Sequence, residues 1–116
     1  MRILLVKLSS LGDVVQTLPV IHDIRSHVPQ ARIDWVVEEG FAPLVQQAAG
    51  LERVIPVALR RWRRTLLSGH TGRERRDARA DLRAEAYDAV IDFQGLIKSA
   101  AVARQARLAR GGVTAT

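Results

Sequence analysis

Four consecutive apolar residues, Ile3-Leu4-Leu5-Val6, run without alternation into Lys7-Leu8-Ser9-Ser10-Leu11-Gly12-Asp13 and then into a helical pattern. A short apolar run with no polar side is what a parallel strand covered on both faces requires, so it reads as the central strand of an open sheet. The apolar positions Val14, Val15, Leu18, Ile21 and Ile24 recur at helical spacing. Asp13 therefore stands near a helix N-terminus, behind two hydroxyls and a glycine that lets the backbone turn tightly. In open α/β sheets the loop at the carboxyl end of the first strand borders the crevice where the strand order reverses and ligands bind.

The rest of the chain repeats this unit. Pro19 predicts a break near Thr17-Leu18, with the proline in a new first turn, and the pattern ends at His27-Val28-Pro29. Arg32–Val37 reads as a second strand, a short helix spans about Pro43–Ala49, and Val54–Val57 reads as a third strand whose Pro56 suggests an edge. Two helical pieces are expected on either side of Ser68–Gly72, the second with a thin apolar stripe of Ala78, Leu82 and Ala86. Tyr87–Asp92 is the fourth strand, followed by Phe93-Gln94-Gly95 and a helix from about Leu96 to Arg110. Right-handed crossovers make this a Rossmann-like open parallel sheet in the order 3-2-1-4, with flanking helices. The switch point falls between strands one and four, where Ser9, Ser10, Asp13, Asp92, Gln94 and Lys98 can converge.

Charge narrows the partner. Arg60 to Arg83 holds nine arginines and three acids, a net of +6 that equals the net charge of the whole chain. One basic block on a neutral body points to a localised anionic partner. With 116 residues and 47% hydrophobic content the chain makes one domain at most with a packed core. No apolar run reaches the ~20 residues of a membrane span, and the four-residue N-terminal run is too short for a secretory leader, so the chain reads as cytoplasmic. No cysteine means no disulfide and no Cys zinc site, and His22, His27 and His70 lack metal-ligand spacing.

Several residues admit two readings. Asp13 is either a first-turn acid favoured by the helix dipole or, at the switch point, a general base within reach of a sugar hydroxyl. Lys98 opposes the dipole of its helix, which suits an anionic ligand as well as solvent. Asp92 caps or touches ligand, and Glu38 and Glu39 read as solvated. Arg60-Arg61-Trp62-Arg63-Arg64 has no acid nearby in sequence to balance it. It is a solvated face or a set of guanidinium forks for phosphate and carboxylate. Nucleic acid is not expected, because only Trp62 is interleaved among the arginines and no recognition-helix or single-strand-binding signature is present. The loop after strand one is neither a dinucleotide fingerprint nor a P-loop.

The segments KLSSLGDVVQTLP, DWVVEEGFA, ERVIPVALRRWRR and YDAVIDFQGLIKSA, in this order and spacing, resemble the lipopolysaccharide heptosyltransferases of glycosyltransferase family 9. WVVEEGFA and the R-R-W-R block resemble the type I branch. The resemblance covers about residues 1–110 and implies a metal-independent, inverting GT-B enzyme without cofactor. Such an enzyme transfers heptose from ADP-heptose to the Kdo of Kdo2-lipid A. It implies Asp13 as catalytic base and Arg60, Arg61, Arg63 and Arg64 as the basic stretch meeting the anionic acceptor. Ser9, Ser10, Gly12, Gln94 and Lys98 match loop positions at the acceptor site. Contact with the cytoplasmic face of the inner membrane is expected to be peripheral, through head groups and charge rather than insertion.

The departure from the family is length. Residues 1–110 read as an incomplete acceptor-binding domain and 111–116 as a tail outside the family pattern, with the C-terminal, ADP-heptose-binding domain absent. The sheet is expected to stop at strand four, leaving Ala89-Val90-Ile91 as an unpaired edge that self-associates, and the chain alone is expected to be inactive. The other reading of the charge block is a non-catalytic anion- or nucleic-acid-binding α/β module.

Overall fold

The computed structural model describes residues 1–94 and 97–115, except for the side chains of residues 97–99. Strands β1 (Arg2–Val6), β2 (Arg32–Glu38), β3 (Arg53–Val57), β4 (Ala86–Asp92) and β5 (Arg107–Ala115) alternate with helices. The helices are α1 (Leu11–His27), α2 (Ala42–Gln46), α3 (Leu59–Arg64), α4 (Gly69–Arg83) and α5 (Ile97–Arg104), and a 3-10 turn at Glu39–Phe41 leads into α2. The five strands form one parallel sheet in the order β3-β2-β1-β4-β5. The 3-2-1-4 order is present, with the reversal between β1 and β4.

The continuous apolar run of β1 has its cause in the two layers around it. Ile3 and Leu5 pack with Val14 and Ile21 of α1, Val45 of α2 and the indole of Trp35. Leu4 and Val6 point the other way, onto Trp62, Ala78, Leu82 and Val102 from α3, α4 and α5. Leu4, Leu5 and Val6 are fully buried. Burial of one such side chain is worth about 1.5–3 kcal/mol, so β1 accepts no polar alternation.

Within this apolar sheet lies a fully buried carboxylate, that of Asp34. The Tyr87 hydroxyl donates to its Oδ2 at 2.6 Å. Arg53 donates to the same oxygen through Nε and Nη2 at 3.2 Å each, and Arg2 Nη1 reaches both carboxylate oxygens at 3.2 and 3.4 Å. Arg53 also bonds the Tyr87 hydroxyl at 3.0 Å and the Asp81 carbonyl at 2.9 Å. A buried carboxylate costs several kcal/mol unless its lone pairs are filled, and here four strands supply the donors and the acceptor. Burial, together with the Asp34 carboxylate beside it, pushes the Tyr87 phenol upward.

Three expectations are corrected. Helix α1 runs unbroken through Pro19. Both Pro19 and Val15, four residues before it, are exposed, so the carbonyl without a helical donor lies on the solvated face rather than in the core. The expected connector Ser68–Gly72 is instead the start of α4, which is capped at Ser68, and Ala86 belongs to β4.

The largest correction is at the end of the chain. The helix expected to reach Arg110 closes at Arg104, and the residues assigned to a tail form β5 along β4. Ala89, Val90 and Ile91 pair with Val113, Thr114 and Ala115, so that edge is covered and the open edge of the sheet is β5 instead. Gly111-Gly112 looks like a helix stop but works as a kink inside a strand. The register jumps between Tyr87 and Ala89, Gly111 takes φ +80°, and a Cβ on Gly112 would lie 2.6 Å from the Tyr87 carbonyl oxygen.

Asp34→Ala leaves the Tyr87 hydroxyl and two guanidinium groups short of an acceptor, and is expected to destabilise the chain by about 3–5 kcal/mol in denaturant unfolding. Tyr87→Phe removes one donor to the carboxylate and one acceptor of Arg53, which keeps Asp34 and the Asp81 carbonyl, and should cost about 1–2 kcal/mol. Equal effects from the two changes would mean that the network acts otherwise than through the carboxylate.

Candidate functional site

The loop after β1 is held by backbone bonds on both flanks. On the β2 side, Lys7 N–H donates to the Val36 carbonyl at 3.4 Å and Glu38 N–H to the Leu8 carbonyl at 3.1 Å. The Trp35 indole N–H donates to the Lys7 carbonyl at 3.0 Å. On the β4 side, the Gln94 side-chain carbonyl accepts from Leu8 N–H at 3.1 Å and Ser9 N–H at 3.3 Å. Gln94 is itself placed by the buried Asp92, whose Oδ1 accepts the Gln94 N–H at 2.8 Å. Phe93 N–H continues the ladder to the Val6 carbonyl at 2.9 Å, and the Lys7 ammonium reaches the Phe93 carbonyl at 3.3 Å.

Ser10 then caps α1 in an extended conformation. Asp13 Oδ2 accepts from the Ser10 hydroxyl at 3.2 Å and from the Ser10 N–H at 3.5 Å, while Oδ1 has no hydrogen bond among the described residues. Asp13 is exposed. One oxygen thus closes the capping box and the other is open, so the two readings of Asp13 are not exclusive. Gly12 lies inside the first turn of α1 rather than in a tight turn, with no positive φ, and a Cβ there would meet nothing within 4 Å.

A cleft of about 520 Å³ opens along this carboxyl edge, between Ser9 and Ser10 on one side and Arg60, Arg61, Arg63 and Arg64 on the other. Glu38 and Glu39 line its floor. The arginines are there because the parallel β3 ends on the same edge as β1, and α3 begins two residues later. The four are not equivalent. Arg61 is gripped by two carboxylates, Glu74 at 2.7 Å through both terminal nitrogens and Glu39 at 3.0 and 3.2 Å. The expectation that the block lacks balancing acids fails for Arg61, and Glu39 is paired rather than solvated. Glu74 comes from α4 and Glu39 from the far end of β2, so neither is visible as a neighbour in sequence. The Arg61 guanidinium holds the Glu74 carboxyl below the usual carboxylate range. Arg60, Arg63 and Arg64 are exposed and make no ion pair among the described residues, which leaves three cations facing the two serines.

Of the residues expected to converge, Ser9 and Asp92 are linked through Gln94, and Ser10 bonds Asp13. The Lys98 side chain lies outside the described residues. Gln94 spends its carbonyl on positioning the loop. Sequence reading missed Asp34, Arg2, Arg53 and Tyr87, although a lone acid inside RIDWVV was a usable signal. It also missed Glu74 as the partner of Arg61, for which no local signal exists.

The fold is that of the N-terminal Rossmann-like domain of GT-B glycosyltransferases, with the switch-point cleft at its carboxyl edge. The model of glycosyltransferase family 9 (heptosyltransferase) matches residues 75–115. Lipopolysaccharide heptosyltransferase 1 of Escherichia coli is 54% identical over 111 residues, which is 96% of this chain and 34% of that protein. The solved E. coli heptosyltransferase WaaC with ADP superposes with a TM-score of 0.90 at 51% identity, over 98% of this chain and 35% of that one. E. coli ADP-heptose lps heptosyltransferase II superposes at 0.69 and 25% identity, over 99% and 30%. The chain thus spans about a third of the length of the relatives it matches. The family match extends through β5, across the boundary expected at Arg110.

Two outcomes test this geometry. Gln94→Leu removes the acceptor for two loop amides and should lower stability by about 1–3 kcal/mol, with faster hydrogen exchange at Leu8 and Ser9. Unchanged exchange there would show the loop to be held by the β2 side alone. Because Glu74 titrates below its ordinary value, its contribution is complete above about pH 4.3 and is lost as pH falls through the lowered folded value. Hydrogen exchange of α3 should accelerate in that acid window, and Glu74→Gln should remove the acid dependence.

Proposed function

We propose that this chain is the acceptor-binding part of a lipopolysaccharide heptosyltransferase, transferring L-glycero-D-manno-heptose from ADP-heptose to Kdo of Kdo2-lipid A. The observation that carries this reading is the identity of more than half of the residues along nearly the whole chain to lipopolysaccharide heptosyltransferase 1. The site chemistry agrees with it. Arg60, Arg63 and Arg64 offer guanidinium forks to an acceptor bearing carboxylates and phosphates, and Arg61 fixes the helix that presents them. Ser9 and Ser10 form the opposite wall, and Gly12 keeps the exposed first turn of α1 beside them free of a side chain where a sugar approaches.

In this reading Asp13 takes the proton from the attacking Kdo hydroxyl as its oxygen bonds to the anomeric carbon. The bond to the ADP oxygen breaks with its electron pair, and the configuration inverts. Oδ2 stays tied to Ser10, which orients the carboxylate, and Oδ1 receives the proton. Gln94 and Lys98 complete the acceptor side. The donor is assigned to a C-terminal domain outside this chain, and the chemistry to residues without cofactor or metal. In this reading the protein works at the cytoplasmic face of the inner membrane, as a peripheral protein.

In a full-length enzyme carrying this sequence, Asp13→Asn should lower kcat by about 10²- to 10⁴-fold with little change in acceptor KM, the usual worth of a general base. Turnover within a few-fold of wild type would remove Asp13 from the role.

A further inference from the structure

The turn between α3 and α4 carries two adjacent exposed leucines. Leu66 is 60% exposed and Leu67 fully so. The turn is not slack, for Thr65 N–H donates to the Trp62 carbonyl at 3.2 Å and Ser68 N–H to the Thr65 carbonyl at 3.0 Å. The Thr65 hydroxyl bonds both the Arg61 carbonyl, at 3.2 Å, and the buried Thr71 hydroxyl. Trp62 and Thr71, buried at its two ends, root the turn in the body. The leucines are therefore held outward.

Their surroundings are cationic. Arg63 and Arg64 precede them and Arg73, Arg75 and Arg76 follow, all exposed and none in an ion pair among the described residues. Leu66 lines one groove with Arg63, Arg75, Arg76 and Arg79. Of the acids at this end, Glu74 is engaged by Arg61 and His70. Asp77 alone opposes the cluster from the exposed surface of α4.

We propose that this tip is a membrane-docking wedge, with Leu66 and Leu67 entering the boundary between head groups and acyl chains of an anionic bilayer while the flanking guanidinium groups bind lipid phosphates. Arginines alone would suit any polyanion, but an ordered pair of exposed leucines among them has a use only where an apolar phase lies beneath the charge. Nucleic acid offers no such phase. The tip shares Arg63 and Arg64 with the cleft assigned to the acceptor, but its leucines lie outside that cleft and its contact requires no acceptor sugar, so it can fail while the transfer reading stands. It also differs from contact by charge alone, because part of the binding resides in neutral side chains.

The chain is mixed with vesicles of phosphatidylcholine, with and without phosphatidylglycerol and free of any glycolipid, and the bound fraction is read by sedimentation. Binding is expected only to the anionic vesicles and should weaken as salt rises. Leu66→Ser with Leu67→Ser should weaken it by about tenfold or more, since two apolar side chains no longer leave water, while the melting temperature stays that of wild type. Emission of Leu67→Trp, compared with the parent chain, should shift to the blue on anionic vesicles and be quenched by lipids brominated near the head group. Equal binding to neutral vesicles, binding indifferent to loss of both leucines, an unshifted Leu67→Trp emission, or tighter binding to duplex nucleic acid than to the vesicles would overturn the proposal.

Discussion

Asp34 is the point on which the sheet turns. A single buried carboxylate collects donors from Arg2 in β1, Arg53 in β3 and Tyr87 in β4 while lying in β2 itself. A one-residue slip of any strand would move its partner to the other face and strand a charge in the core, so the register of four strands is tied to one ionised group. Parallel strands aligned at one point stay aligned at their carboxyl ends, and there the loops after β1, β3 and β4 must meet. The functional edge inherits its geometry from an interaction on the opposite side of the fold.

At that edge the organising need is to satisfy backbone groups. The loop after β1 leaves the ladder between two neighbours, and its amides and carbonyls find partners in Trp35, Gln94 and the β2 backbone. Once these groups are fixed, Ser10 begins α1 at a set position, and the Asp13 carboxylate is oriented by the residue it caps. Positional precision in such a loop comes from the backbone before it comes from the side chain.

The arginines divide by task. Arg2, Arg25, Arg53 and Arg61 are structural. Arg25 holds the Gly50 carbonyl at 2.5 and 2.9 Å, in a turn where Gly50 takes φ +96° and a Cβ would lie 2.7 Å from the guanidinium. Arg61 joins α3 to α4 through Glu74. Arg60, Arg63 and Arg64 on α3 and Arg73, Arg75 and Arg76 on α4 make no ion pair among the described residues and give that end of the surface its charge. Composition counts these groups alike, but only the second set is open to an anionic ligand or a charged surface.

The continuous apolar run of β1, the alternation of strands with helices, and the edge position marked by Pro56 lie in local pattern, and from them the parallel order and the switch point followed without coordinates. The placement of Asp13 and the serines at this edge was legible for the same reason, since a loop at a known end of a central strand has a known neighbourhood. Long-range pairing was not. Glu74 and Glu39 reach Arg61 only after folding, and Asp34 looks like an interruption until three other strands surround it. Strand β5 was hidden because an exposed edge strand needs no apolar alternation and its glycines imitate a helix stop. Sequence by itself determined which segments must be buried and in what periodicity, because burial is a property of each segment's own side chains. Which charges are neutralised and which remain available was decided only by tertiary structure, because a carboxylate and a guanidinium meet by distance in space.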